Sequence, residues 1–245
     1  MYKVMCTLLA ACCAAAAVAA VDAAEQPTMS DLWGHGADSR LFPKDSFPYG
    51  KSISGWADRS VQWMYAQPFD HNPFFDATGA NCAVDQHGPV WFLAPIASMA
   101  AGNFTRACTI PRDKAILLMA MDLSETYPCP DPNFKPGPGQ SLYDFLVADS
   151  KTYPTAVKLD IKLDGRPVRD ALSYKYISEN LYSLKGDPSL QAPFDPCITG
   201  DWQPAVSNGI FFMFRPLSRG QHVLVRSSTG PTGNVNTFTY YLTIQ

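Results

Sequence analysis

Charge is scarce in this chain, and so are the residues that most often carry acid–base chemistry. Of 245 residues, 17% are Asp, Glu, Lys or Arg, with 19 basic against 22 acidic side chains and a formal net charge of -3. No basic run occurs, which excludes nucleic acid as a partner, because neutralising phosphates needs clustered Lys and Arg. Glutamate is confined to Glu25, Glu125 and Glu179. A glycosidase carboxylate pair would therefore draw mainly on aspartates, such as Asp122 with Glu125, where capping of a following turn explains the same residues. Also lacking are a G-x-S-x-G elbow, a P-loop, a dinucleotide-binding glycine set and a His-x-His pair. Ser207-Asn208-Gly209 reads as a turn rather than a nucleophile loop. The absence of any CxxC or HxxxH spacing argues against a zinc site, so no metal ligand is assigned, and the residues do not say which cofactor, if any, is used.

What is present is apolar and finely punctuated. The chain is 47% hydrophobic, enough for a substantial core, and its 21 prolines and 16 glycines are spread along its length. Short elements between many turns point to a β-rich fold. The opening MYKVMCTLLAACCAAAAVAAVDAAEQP has one Lys, an Ala-rich apolar run and small residues near Ala23 and Ala24. It reads as a signal peptide over 1–24, and hence as a secreted or periplasmic protein with no transmembrane helix in the mature chain. Lipidation at Cys12 is the less favoured alternative.

Removal of that segment leaves an even set of cysteines, Cys82, Cys108, Cys129 and Cys197. In an oxidising compartment these form two disulfides out of three possible pairings. Cys82–Cys108 is favoured because it flanks one apolar strand and its return. Cys129–Cys197 then joins two similar Pro-rich loops.

Residues 25–52 form an irregular arm, and 53–245 a single domain. SISGWADRSVQWMYAQP reads as a helix, with Ser54 as the expected N-cap, Trp56, Ser60, Trp63 and Met64 on one side, and Pro68 closing it. Ser141 and Asp144 give a second, short helix a capping-box start. VWFLA and KAILLMAMDL are continuous apolar runs, as strands covered on both faces require. VKLDIKLDGRPV alternates and must have one wet face. GIFFMFRP, QHVLVRSS and NTFTYYLTIQ read as an antiparallel meander joined by hairpin turns. The expected architecture is mainly β: an antiparallel β-sandwich, jelly-roll-like, with one or two short helices and two disulfide staples.

The series NCAVDQHGPVWFLA, RACTIPRDKAILL, LDGRPV and RPLSRGQHVLVRSS resembles a group of uncharacterised secreted bacterial proteins. That group carries Gly-Pro-Val-Trp-Phe-Leu, Arg-x-Cys-x-Ile-Pro and C-terminal Pro-Leu-x-x-Gly-x-His segments. The resemblance spans about Trp56 to the C-terminus and implies a secreted β-rich domain. It implies nothing about substrate. The chain departs from the pattern at Ala94-Pro95 and at Arg112-Asp113-Lys114.

Candidate catalytic residues are His87, Asp85 and His71, since imidazole oriented by a carboxylate serves as a base or ligand. Candidate binding residues are Asp70, Asp76, Arg106 and Trp91. Arg106 and Arg226 could bind an anionic group, although lone arginines usually pair with local carboxylates, and His222 is a sheet-face residue. Two functions follow. A binding or structural module, presenting loops to a small molecule, a polymer or an envelope protein, predicts a groove lined by aromatics and no cluster of buried ionisable groups. A secreted hydrolase or metal-assisted enzyme predicts that His71, His87 and their aspartates converge.

Overall fold

Strands with two dry faces and strands with one wet face sort into two separate sheets. The computed structural model describes residues 38–96, 101–153 and 155–245. The expected signal segment, Cys12 and the first part of the arm lie outside the described residues.

The first sheet is built on β1 (Val90–Leu93), β3 (Ala115–Thr126) and β8 (Trp202–Phe214), in that order. Two short strands, β6 (Lys175–Ile177) and β7 (Tyr182–Lys185), share the far edge of β8. The second sheet runs β2 (Gly102–Ile110), β10 (Val235–Ile244), β9 (Gly220–Thr229), β4 (Lys158–Leu163), β5 (Arg166–Pro167). One core fills the space between the sheets, with Leu93, Ile116, Leu118 and Phe212 meeting Ile161, Leu224, Phe238 and Leu242. The outer face of the first sheet carries Phe92, Leu117, Met119, Phe211 and Met213 against helix α1 (Ile53–Tyr65). The fold is thus helix, sheet and sheet in three layers, and the central sheet is dry on both sides. That is why β1 and the first half of β3 are unbroken apolar runs. β4 instead alternates exposed and buried residues, as a strand of the outer sheet must.

Three expectations need correction. The sheets are mixed rather than antiparallel: β1 pairs β3 in parallel, and β2 pairs β10 in parallel. The C-terminal segments do not form one meander. β9 and β10 are an antiparallel hairpin, but β8 belongs to the other sheet, because Phe211 and Phe212 need cover on opposite faces. Ser207-Asn208-Gly209 is no turn but the middle of β8. There Gly209 faces an irregularity in β3 between Met119 and Met121. A Cβ on Gly209 would meet the Met121 carbonyl oxygen at 2.3 Å.

The helices start as side-chain capping dictates. Ser52, not Ser54, caps α1, accepting from the Gly55 N–H at 3.0 Å, while Ser54 Oγ donates to the Ile177 carbonyl. The apolar stripe thus includes Ile53 and leaves Ser54 to reach across the sheet edge. Helix α2 (Leu142–Ser150) begins at the Ser141–Asp144 capping box and covers the distal half of β3 and β8 through Leu146, Val147 and Val206. Both disulfides, Cys82–Cys108 and Cys129–Cys197, pair as expected.

Candidate functional site

Helix α1 places Trp56, Arg59, Gln62, Trp63 and Ala66 along one stripe, at the three- and four-residue spacing that brings side chains to a common face. Trp56 and Trp63 are buried and tilt against Phe92 at ring-centroid distances of 6.4 and 5.5 Å. Their indole N–H groups are satisfied by the Pro48 and Val84 carbonyls. These rings form the floor of an open groove of about 420 Å³. Its lining also includes Arg59, Gln62, Lys185, Asp187, Asp85 and His87. Trp202 also lines it and is 70% exposed. It pairs with Lys185 across β8 and β7, so a rigid sheet holds it. The β7 end is tied to α1 by the Asp187 N–H donating to the Tyr65 carbonyl and by Gln62 Nε2 donating to the Ser183 carbonyl.

The loop bearing Asp85 and His87 is also fixed. Gln86 donates to the Phe92 carbonyl and accepts from the Phe92 N–H, so its amide mimics one more strand pair on the edge of β1. Asp85 adopts a left-handed φ of 48°, which a short polar side chain tolerates. His87 Nε2 lies 2.7 Å from Asp85 Oδ1, and the two side chains are 82% and 54% exposed. His71 does not join them. It sits in a 3-10 turn over Phe69–His71, with Asp70 at 3.8 Å as its ionic neighbour, both largely exposed. Among the described residues, no group of three or more His, Cys, Asp or Glu is arranged to hold a metal ion.

The other predicted residues have structural surroundings. Asp76 accepts from the N–H groups of Thr78 and Asn81 and from the Thr78 hydroxyl, which hold its carboxyl below the usual range despite partial burial. Trp91 lies inside the core between the sheets at 6% exposure, so its ring is not presented to a ligand. Arg106 is buried on the inner face of the second sheet. His222 shares that face: its Nδ1 is 2.7 Å from Asp164 Oδ2, and Asp164 also accepts from the Val223 N–H, closing the Asp164-Gly165 turn. The groove's exposed aromatic is Trp202, which the sequence reading missed. The signal was a tryptophan among polar residues, just after a turn glycine, at Gly200-Asp201-Trp202-Gln203.

A second feature was not expected. On the α1 side of the first sheet, Ser178 Oγ donates to Asp58 Oδ1 at 2.6 Å and accepts from the Ser207 N–H at 2.6 Å. The Tyr182 hydroxyl meets Ser207 Oγ at 2.8 Å, and Ser124 Oγ donates to Asp122 Oδ2. Burial pushes Asp58 up to about 6 and Asp122 up to about 7. The register of β3 and β8 puts Glu125, opposite Val206, on the other face, where α2 lies. Burial, then the charges of Asp149 and Asp195, push it up to about 8. Asp122 and Glu125 therefore do not flank one cleft as a glycosidase pair would. These partly buried acids also contradict the expectation that a binding module would have no such cluster.

No family model and no curated protein matches the chain. Among solved structures, that of PbICP-C in complex with falcipain-2 is similar at 15% identity. The match covers 64% of this chain and 100% of that chain, with a TM-score of 0.24, which carries no argument.

Proposed function

We propose that this chain is a binding module, exported by its N-terminal signal segment, that grips a carbohydrate polymer in the α1 groove. The observation that carries this reading is Trp202, a large flat ring 70% exposed that lines one groove with Trp56, Trp63 and Phe92. A binding site of this kind combines an apolar floor with a few polar groups that fix orientation. A sugar ring offers a C–H face for an indole and hydroxyls for Arg59, Gln62, Lys185 and Asp187. The lining carries both signs of charge, which suits a neutral ligand better than a strongly anionic or cationic one. Two disulfides and the lack, among the described residues, of any helix long and apolar enough to cross a membrane are compatible with export.

The test is titration of neutral and charged oligosaccharides against the folded protein, followed by tryptophan fluorescence and calorimetry. Trp202→Ala is expected to weaken binding at least tenfold while leaving the melting temperature within about a degree, since exposed surface changes rarely exceed about 0.5 kcal/mol. Equal affinity in the variant, or no binding of any neutral glycan by the parent, overturns the reading.

One observation favours a hydrolase instead: the Asp85–His87 contact of 2.7 Å joins two residues that line the same groove. Turnover of a bound glycan or ester that is lost in His87→Gln with binding intact would establish it.

A further inference from the structure

Among the described residues, four that are not glycine hold a left-handed backbone, and three of them are aspartates, Asp85, Asp164 and Asp170. The fourth is Tyr49, at φ 54° and ψ 33°. A short polar side chain tolerates that region, whereas a bulky one crowds the backbone there and costs stability. Gly50, at φ 79°, follows directly, so the turn already has one glycine for its reversal. Stability alone would favour a glycine or asparagine at 49 as well. A tyrosine is held there instead, with its ring 46% exposed. Backbone strain of this kind clusters at ligand clamps, where it aims a side chain.

The turn is tied to helix α1. Trp56 Nε1 donates to the Pro48 carbonyl at 2.8 Å, and the Lys51 N–H donates to the same oxygen. The Tyr49 ring makes T-shaped contacts with Phe42 and Trp56, at centroid distances of 6.0 and 6.5 Å. Trp56 in turn lines the α1 groove, and ring contacts continue from it to Phe92 and from Phe92 to Trp63. Aromatic surface therefore runs without a break from the groove to Tyr49.

The groove's exposed ring, Trp202, belongs to the other end of the helix. Trp202 pairs with Lys185, and the Asp187 N–H, two residues on, donates to the carbonyl of Tyr65, the last residue of α1. From Trp56 to Tyr65 the helix rises roughly 13 Å. A single sugar ring cannot cover that distance, and a chain of several can. We propose that Tyr49 is a second stacking platform of the α1 groove, so that the ligand is an extended linear glycan lying along the helix from Tyr49 to Trp202. This rests on the glycan reading of the groove and adds a length requirement to it. Two separated rings act on one chain as linked sites do: once the chain reaches the second ring, that contact forms within the complex and raises affinity. Tyrosine suits the role, since a large rigid ring is ordered at little cost in side-chain freedom.

The test is calorimetric titration of the full disulfide-bonded protein with cello-, chito- and malto-oligosaccharides, each from disaccharide to hexasaccharide. In the series that binds, affinity rises by about tenfold or more with length and then levels off once both rings are covered. Tyr49→Asn, whose side chain tolerates the left-handed backbone, removes that rise and leaves disaccharide affinity within about twofold of the parent. Tyr49→Phe keeps the rise, and Trp202→Ala weakens binding at every length. A parent that binds disaccharide and hexasaccharide equally, or a Tyr49→Asn variant that keeps the rise, overturns the proposal and leaves the groove reading standing. No binding from any of the three series removes both. Should Tyr49→Asn fail to fold, the Tyr49 ring resonances of the parent protein decide: they move with hexasaccharide and not with disaccharide, and any other pattern overturns the proposal.

Discussion

Asp122 shows how a single residue can be set against its surroundings. It stands on a strand between apolar neighbours, with Oδ2 bonded by Ser124 and Oδ1 buried without a donor. Burial, which disfavours the charged form, outweighs the Ser124 hydrogen bond and brings its pKa to about 7. At pH 8 the folded state must either ionise this carboxyl in a poor environment or hold a proton against the solvent. Asp122→Asn keeps the shape and removes that conflict. It is expected to stabilise the protein by about 1–3 kcal/mol at pH 8 and by little at pH 5, as read by urea denaturation at both values. A loss at both would show that the charged form is the one the fold requires.

At the scale of elements, the central sheet depends on β3 and β8 passing each other with one irregularity in register. Gly209 permits it, since the β3 backbone lies where a side chain would stand. Gly209→Ala should cost about 2–4 kcal/mol, measured as a drop in the urea midpoint at unchanged slope, because the contact is with backbone and cannot be relieved by a rotamer. The irregularity also turns the distal half of β3. Beyond it Asp122 and Ser124 line the α1 side and Glu125 the α2 side, which separates the acids that the spacing Asp122-Leu-Ser-Glu125 brings close in sequence. Helix α1 serves twice, since one side packs on Leu117 and Met119 and the neighbouring stripe lines the groove.

Across the whole molecule, the shifted groups predict how stability depends on pH. Asp58, Asp122 and Glu125 are raised to about 6, 7 and 8. Between pH 4 and 8 the folded chain therefore holds protons that the unfolded chain has released, and stability falls as pH rises through that window. His222 acts in the same direction, its pKa raised by the Asp164 contact although burial opposes it. Asp38, Asp76 and Asp164 are lowered, so the stability they contribute is lost as pH falls below their unfolded values near 4. The melting temperature should peak on the acidic side, near pH 4–5, and decline steadily to pH 8. A scan that is flat or rises from pH 5 to 8 would contradict this assignment.

Much of this architecture is legible in the sequence, because local physics fixes it. Alternation in Lys158–Leu163 dictates a strand with one wet face, unbroken apolar runs dictate strands with none, and the Ser141–Asp144 box dictates where α2 begins. Four cysteines flanking matching segments pair as their placement implies. The strand partners are a different matter. Whether β1 joins β3 in parallel, and which sheet takes β8, depends on which buried faces find cover, and residues distant in the chain settle that. The groove belongs to the same class: Trp202 and His87 are far apart in sequence and line one groove because α1 and β7 bring their loops together. Arg106 reads as a lone arginine free to bind or pair until the fold closes over it. The sequence by itself determined the kinds of element and their dry and wet faces. Only the tertiary structure decided which polar groups lost their water, because burial is a property of neighbours supplied by the rest of the chain.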